Sequence, residues 1–445
     1  MRFFYSLIVA SLVYEVSSFN AFAFQIKSYT ELSKLQPQHH PRLQGWVEDK
    51  NGEWEWEEDD PDFIQAPLPN SQVPTTGIDG LEALQLIEKS TATPTLPSGS
   101  FKPKQSLGQN FLRDGNTVLK IIRSFVSDAS ETLIENDTGI IRAVELGPGA
   151  GALTDTLVST FADTDASFQC IEIDPRSVEL LKDKHPDLKV LLLDVLQVDY
   201  PLMAQEQGGP LSIIGNLPYY ITSQILFALA DASHYNAVRS ATVTMQYEVA
   251  RRIVAETRTK DYGILSVVFQ LYAECKLHFK IPPTVFYPRP KVDSALIGLH
   301  FIGPNRLRLR LGGVTPAQLR KVLTATFQQR RKTIRNSLKK LLLQEVCGGD
   351  KEICKEILDS SPLPLSAEVL DAKQRGDSFA LTQELPLDWA KMRPEELSSG
   401  QFVELTRLVF FQNTKGGNGD VDGQISNDSE KSLGRKVWRK VKHGS

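Results

Sequence analysis

The sequence predicts an α/β protein, a largely parallel sheet flanked by helices, followed by a smaller C-terminal helical domain. Three observations predict it. Short apolar runs alternate with segments of helical spacing between residues 116 and 281. A glycine-rich turn, ELGPGAGALT (145–154), joins the first apolar run to the helix behind it. From Thr315 onward the spacing is helical throughout.

Each element can be justified in chain order. NTVLKIIRSFVS (116–127) carries apolar positions at helical spacing. IRAVEL (141–146) reads as a buried strand, and ALTDTLVSTFA (152–162) as a helix. FQCIEID (168–174) is a second strand, after which DPRSVELLKDK opens a helix with Asp174 as its cap. VLLLDVLQ (190–197) and PLSIIGNL (210–217) are the third and fourth strands. ITSQILFALA (221–230) is helical, and ATVTMQYEVARRIVAE turns a strand into a helix. LSVVFQLYAECKLHFKI has a strand-like pattern. PAQLRKVLTATFQQRRKTIRNSLKKLLLQEV is one or two amphipathic helices, and a second helical group covers roughly 351–410. The expected domains are therefore 101–310 and 311–411.

The flanks differ in character. MRFFYSLIVASLVYEVSSFNAFAFQ has an early Arg2 and a short apolar stretch interrupted by Glu15. It reads as a signal-like presequence over 1–24 and is too short to span a bilayer, so no stable membrane insertion is expected. A phenylalanine after an Ala-Phe-Ala segment resembles the bipartite plastid presequence of algae with complex plastids. The plastid stroma is the expected location, with the mitochondrion or a secretory route as alternatives. Residues 25–100 are polar and contain the acidic run EWEWEEDDPD (53–62), which fits a transit peptide and disordered linker with a short helix around 79–89. The tail 412–445 is low in complexity and basic at its end.

The formal net charge of −4 over 445 residues argues against a nucleic-acid partner only if it is averaged, because the acidic and basic runs are segregated. Four scattered cysteines with no CxxC pattern fit a reducing compartment and no metal site.

The chemistry gathers at strand ends. Gly147, Gly149 and Gly151 form a GxGxG turn, a weak signal alone. No lysine follows in Walker fashion, and the GxGxxG of a dinucleotide fold is missing, which disfavours ATP hydrolysis and nicotinamide chemistry. Glu172 ends the second strand, where a carboxylate can accept ribose hydroxyls. Asp194 ends the third, where it can accept from an exocyclic amine. Either acid alone could simply cap a helix. Together they line one crevice of an open sheet and point to an adenosine cofactor without a pyrophosphate, which S-adenosyl-L-methionine fits best. GNLPYY (215–220) closes the fourth strand at the same edge. The Asn216 carbonyl, with backbone carbonyls near Leu217 and the stiff Pro218, can accept from an amino group, and Tyr219 can stack on the base that bears it. Such acceptors localise the amine's lone pair on nitrogen.

With these residues in view, the chain resembles the ribosomal RNA adenine N6,N6-dimethyltransferase family of the small subunit. The resemblance is carried by SLGQNFLRD (106–114), ELGPGAGALT, IEID, NLPYY, MQYEVARRI (245–253), VFYPRPKVDSALI (285–297) and the basic TFQQRRKTIRNSL (326–338), and covers about two-thirds of the chain. It implies a class I S-adenosylmethionine-dependent, Rossmann-like sheet and dimethylation of two adjacent adenosines near the 3′ end of small-subunit ribosomal RNA, within an assembling subunit. It implies cofactor contacts at Asn110, Leu112, Gly147, Glu172, Asp194 and Asn216, and a catalytic set of Asn216, Pro218, Tyr219 and Phe286, with Phe286 facing the target base opposite Tyr219. Tyr247 and Ile264 depart from the family's usual residues, and 345–390 is longer than usual. A monomer is expected.

RNA contact follows from charge position. Arg330, Arg331, Lys332, Arg335, Lys339 and Lys340 crowd one stretch without an acid between them, which suits a phosphate backbone better than a merely solvated helix face. The rival readings are a large-subunit resistance methylase and a non-catalytic assembly or transcription factor on the same scaffold. The intact glycine turn and NLPY argue against the second, and the basic C-terminal stretch argues against the first.

Overall fold

The computed structural model describes residues 102–132, 139–376, 378–381 and 383–411, with short pieces at 46–48, 54–56 and residue 94. The presequence, the helix expected around 79–89 and the tail from 412 lie outside the described residues. Inside the stretch read as a disordered linker, β1 (Trp46–Glu48) and β2 (Trp54–Trp56) pair antiparallel, so part of the acidic run is extended strand.

β3 (Phe111–Leu112) precedes a seven-stranded sheet made of β4 (Arg142–Leu146), β5 (Ser167–Glu172), β6 (Lys189–Leu192), β7 (Leu211–Asn216), β8 (Val238–Gln246), β9 (Ala273–Ile281) and β11 (Ser294–Phe301). The two-residue β10 (Phe286–Tyr287) pairs with β3 instead. The sheet order is β6-β5-β4-β7-β8-β11-β9. β11 runs against both neighbours and the other strands share one direction. The chain leaves β4 toward β5 on one side and returns to β7 on the other. The crevice of an open α/β sheet belongs at that switch point, outside the carboxyl ends of β4 and β7. This is the Rossmann-like class I architecture expected from the sequence.

The strands read as apolar runs because helices cover both faces. On one face α1 (Gly115–Glu131) and α2 (Thr154–Phe161) pack Ile121, Phe125 and Leu157 against Ile214 and Leu296. Asp114 starts α1 by accepting from Thr117 N at 2.8 Å, and Asp174 starts α3 (Pro175–Lys184) in the same way, as expected. On the other face α4 (Tyr200–Glu206), α5 (Thr222–Ser233) and α6 (Tyr247–Ile253) lie over a core that includes Ile213, Leu226 and Val243. That core continues without a break into the helical region through Leu323, Phe327 and Phe402.

One expectation needs correction. The stretch beginning ILSVVF is not a strand: α7 (Ile264–Tyr272) is helical and only then does β9 begin. Its valines suggested a strand, but it is buried on nearly every side, against α6, β9 and the C-terminal helices, and a helix apolar all round has no legible period. The Ser266 hydroxyl accepts from Gly263 N at 3.0 Å and starts the first turn.

The basic stretch, expected as one or two helices, is two. After α8 (Pro304–Leu311), α9 (Pro316–Phe327) ends before the arginines and α10 (Ile334–Leu341) begins after them. Arg330, Arg331 and Lys332 occupy the turn between. α11 (Lys351–Asp359), α12 (Ala367–Gln374), α13 (Ser378–Leu381) and α14 (Ser399–Phe411) complete the region. Among the described residues no helix is long and apolar enough to cross a membrane.

Candidate active site

The turn after β4 brings a backbone up to a ligand. Gly149 has φ of 58°, and a Cβ there would sit 2.8 Å from Cε1 of Phe111, so only glycine fits. Gly147 N donates to Ile171 O at 2.9 Å and holds the turn against β5. Gly149 N donates to Glu172 Oε2 at 2.9 Å, while Ile173 N and Asp174 N donate to Oε1 at 2.8 and 2.9 Å. Glu172 is buried, and burial raises its pKa against the pull of these neutral donors. A carboxylate has about four acceptor positions. Three are taken, so as it stands Glu172 can accept one ribose hydroxyl rather than the two the sequence suggested. Asp194 lies just beyond β6, with Oδ1 accepting from Leu196 N at 2.9 Å.

The SLGQNFL segment is strapped over the crevice. Lys104 Nζ and Gln109 Nε2 reach Asp174 at 3.2 and 3.1 Å, and Arg176 Nη2 at 2.6 Å. Burial would raise the Asp174 pKa, but these donors hold it well below the carboxylate range. Farther along the strap, the carbonyl of Asn110 accepts from Asn216 Nδ2 at 2.7 Å, and Leu112 is buried in the β3–β10 pair.

At the end of β7, Asn216 uses both ends of its amide, since its Oδ1 accepts from the Thr244 hydroxyl. The Pro218 carbonyl accepts from Thr222 Oγ1 at 2.9 Å and Ile221 N at 3.3 Å. It begins α5 and is therefore taken, which corrects its expected role as an acceptor for substrate. Tyr219 is half-buried, which raises its phenol pKa, and its hydroxyl meets Ser294 Oγ at 2.5 Å.

These elements enclose one cavity of about 230 Å³, lined by Asn110, Leu112, Gly147, Glu172, Asp194, Asn216, Pro218 and Tyr219. Phe286 is not among its walls. The ring is 1% exposed in the core formed by Leu112 and α1, and its neighbour Tyr287 is the exposed one. The expected base-facing role is thus not met in this conformation. The lining also includes Glu145 and, among the described residues, contains no lysine, arginine or histidine. Carboxylates without cations suit a sulfonium, an amine and hydroxyls, and would repel a pyrophosphate.

Comparison with known proteins agrees with this chemistry. The family described as ribosomal RNA adenine dimethylase matches residues 100–361. The chain belongs to this family. It is 37% identical over 312 residues to "Ribosomal RNA small subunit methyltransferase A" of Salinibacter ruber, covering 69% of this chain and 85% of that one. A protein of the same name from Chlorobium chlorochromatii is 38% identical over 280 residues, covering 62% and 93%. A solved dimethyladenosine transferase from Plasmodium falciparum is 22% identical and covers 66% of this chain and 95% of that one, with a TM-score of 0.46.

As a ribosomal RNA adenine dimethylase, the protein takes its methyl groups from S-adenosylmethionine. The cavity fits that donor: the glycine turn admits close approach, and Glu172, Asp194 and Asn110 supply acceptors around it. The basic residues of the dimethylase divide in two. Arg330 donates to the carbonyls of Lys260 and Thr259 at 2.6 and 2.8 Å, and Arg335 to Leu358 O and Asp359 at 2.9 and 2.5 Å. These two side chains are engaged within the protein, which those of Arg331 and Lys332 in the same stretch are not seen to be. Arg331, Lys332, Lys339 and Lys340 are exposed.

Motif reasoning missed Glu145, Thr244 and Ser294. Glu145 is 1% exposed and accepts from Thr154 Oγ1 at 2.7 Å; an acid inside the apolar run RAVEL was the available signal. The two hydroxyl residues sit in ordinary strands and carried no signal.

Proposed function

We propose that this dimethylase converts two adjacent adenosines near the 3′ end of small-subunit ribosomal RNA to N6,N6-dimethyladenosine, acting as a monomer on an assembling subunit in the plastid stroma. The observation that carries this reading is the meeting of Asn216 and Tyr219 with Glu172 and Asp194 around one cavity. The small-subunit target is supported by the names of the relatives. The plastid is supported only by the character of the first residues.

When bound, S-adenosylmethionine supplies a methyl group activated by its positive sulfonium. The protein's part is to present the amine. An adenine amine is a poor nucleophile because its lone pair is delocalised into the ring. The second lone pair of Asn216 Oδ1 and the Leu217 carbonyl accept from it and favour the pyramidal form. Tyr219 offers its ring face to the base, which must first leave any stack. The carboxylates near the transfer point belong to the cofactor's side, and the amine's proton leaves after transfer, when the nitrogen is cationic and acidic. Arg331, Lys332, Lys339 and Lys340 meet phosphates, reading shape rather than sequence.

The test is methylation of a plastid small-subunit assembly intermediate, with the modified adenosines mapped in the RNA. Dimethyladenosine at two neighbouring positions is expected. A product on large-subunit RNA only, or none, overturns the reading. Fusing the first thirty residues to a fluorescent protein reports the compartment, and a mitochondrial signal would replace the plastid assignment.

A further inference from the structure

Two hydroxyls lie directly behind the reacting turn. Asn216 and Thr244 are partners across the parallel β7–β8 pair. Ser294 pairs with Gln246 across the antiparallel β8–β11 pair, two residues along from Thr244. Side chains alternate along a strand, so Thr244 and Ser294 project from the same face of the sheet. Both are fully buried. Thr244 donates to Asn216 Oδ1, and Ser294 Oγ meets the Tyr219 hydroxyl at 2.5 Å. The carbonyl of Thr244 also accepts from Leu217 N at 3.2 Å, so β8 holds the backbone between the two side chains.

We propose that Thr244 and Ser294 are positioning residues for methyl transfer: Thr244 fixes the Asn216 amide with its oxygen toward the amine, and Ser294 fixes the plane of the Tyr219 ring. The assignment rests on the roles given above to Asn216 and Tyr219. A primary amide has two orientations that differ only by exchange of oxygen and nitrogen. Here one end meets a hydroxyl that donates and the other the Asn110 carbonyl, which can only accept. The flipped amide would set its oxygen against the Asn110 carbonyl, which cannot donate; that contact selects the orientation, and the Thr244 hydroxyl, donating to the oxygen end, holds the amide in place.

Tyr219 needs a comparable restraint. The residue is half-buried and its neighbour Tyr220 is 46% exposed, so packing alone encloses neither ring. The Ser294 hydroxyl anchors the far end of the Tyr219 ring, leaving the face for a base. Both restraints come from β8 and β11, strands with a neighbour on each side in the sheet. Neither hydroxyl lines the cavity.

Positioning predicts a rate effect without a binding effect. Tyr219→Phe removes one hydroxyl and keeps the ring. It should lower the single-turnover transfer rate roughly tenfold at saturating cofactor, the size expected when one orienting hydrogen bond is removed. The affinity for S-adenosylmethionine should be unchanged. Ser294→Ala should match it, and the double variant should be no slower than either single one, because all three lack the same hydrogen bond. Thr244→Val should slow transfer and Thr244→Ser should restore it.

A transfer rate in Tyr219→Phe equal to that of the unsubstituted protein overturns the role of Ser294, whether or not Ser294→Ala folds. Additive losses in the double variant overturn it too. Equal rates in Thr244→Val and Thr244→Ser overturn the role of Thr244. Failure of the unsubstituted protein to methylate the small-subunit intermediate would instead count against the proposed substrate, so the two failures are separable.

Discussion

Glu172 and Asp128 are both buried carboxylates, and burial pushes the pKa of each upward, yet they end in opposite states. Glu172 is surrounded by backbone N–H groups, stays raised, and faces the cavity with acceptor capacity to spare. Asp128, near the end of α1, accepts from Thr242 Oγ1 at 2.6 Å and faces His278 Nε2 at 2.8 Å and His300 Nε2 at 3.0 Å. Against burial, these three partners hold it well below the carboxylate range. They come from β8, β9 and β11, and no cavity residue is among them. Gly298 leaves room for the cluster, since a Cβ there would sit 2.5 Å from Asp128 Oδ2. Burial alone therefore does not mark a functional acid. What distinguishes the two is whether the carboxylate is met by side chains that can carry charge, or by neutral backbone with one position open to a ligand.

The sharpest way to break this contrast is to remove Asp128. Asp128→Ala leaves two imidazoles and a hydroxyl facing a void, and breaking a buried pair from one side costs about 3–5 kcal/mol. Urea unfolding should show it, while cofactor affinity of the folded fraction stays the same. The loss should depend on pH. A depressed Asp128 adds stability above its ordinary pKa, lost as pH falls through the acid range. A His300 raised by the carboxylate of Asp128 beside it adds stability below its ordinary pKa, lost as pH rises through the raised value. The difference between the two proteins should thus peak in mildly acidic solution. A loss under about 1 kcal/mol at every pH would mean that the cluster ties nothing.

Glu172→Ala should do the reverse. Removing a charge-assisted hydrogen bond to the ribose costs about 1.5–3 kcal/mol, or very roughly tenfold to a hundredfold in affinity for S-adenosylmethionine. Calorimetric titration measures it, and unchanged affinity would remove Glu172 from the cofactor site.

Glu145 extends the comparison. Burial, opposed by the Thr154 hydroxyl and the Cys170 thiol, pushes its pKa up to about 8. Between the ordinary carboxylate value and about 8 the folded protein keeps a proton that the unfolded chain releases, so stability falls as pH rises. Glu145→Gln cannot ionise and should flatten that decline, leaving the smaller slope of the same sign from Glu172. Urea midpoints measured across this range check it, and parallel curves for the two proteins would mean that Glu145 is already ionised in the fold.

The catalytic crevice was legible in the sequence because its residues sit at strand ends, where a period change and a motif coincide. Glu172, Asp194 and Asn216 each follow an apolar run, and the sheet topology does the rest. Burial and helix breaks were harder to read. Phe286 carries a family motif, yet its ring is packed inward, and nothing in VFYPRP says which of two adjacent aromatics is exposed. TFQQRRKTIRNSL has the composition of a helix throughout. The break at its centre is set by tertiary structure, with Arg330 bound to the Thr259–Lys260 carbonyls and Ile334 N donating to Met392 O at 2.9 Å. Thr244 and Ser294 were invisible for a simpler reason: a hydroxyl residue in a buried strand looks like any other until its partner is known.

The smallest expected effects test the same distinction among cations. Arg330 and Arg335 spend their donors on carbonyls and an acid of this chain, whereas Arg331 and Lys332, in the same turn, are exposed. If completed bonding marks structure and open capacity marks function, the neighbours should separate by assay. Arg331→Ala with Lys332→Ala should leave thermal unfolding unchanged. It should reduce the slope of log binding constant against log salt by roughly 0.7–0.9 for each phosphate no longer neutralised. Arg330→Ala should lower the unfolding temperature and leave that slope alone, since the guanidinium is already engaged by the protein. Filter binding to small-subunit RNA over a salt series, beside a thermal melt, reads both. A slope that falls for Arg330→Ala and holds for the exposed pair would mean that the tie to Thr259 and Lys260 opens on RNA binding, and that internal hydrogen bonds at this surface do not predict which charge the RNA meets.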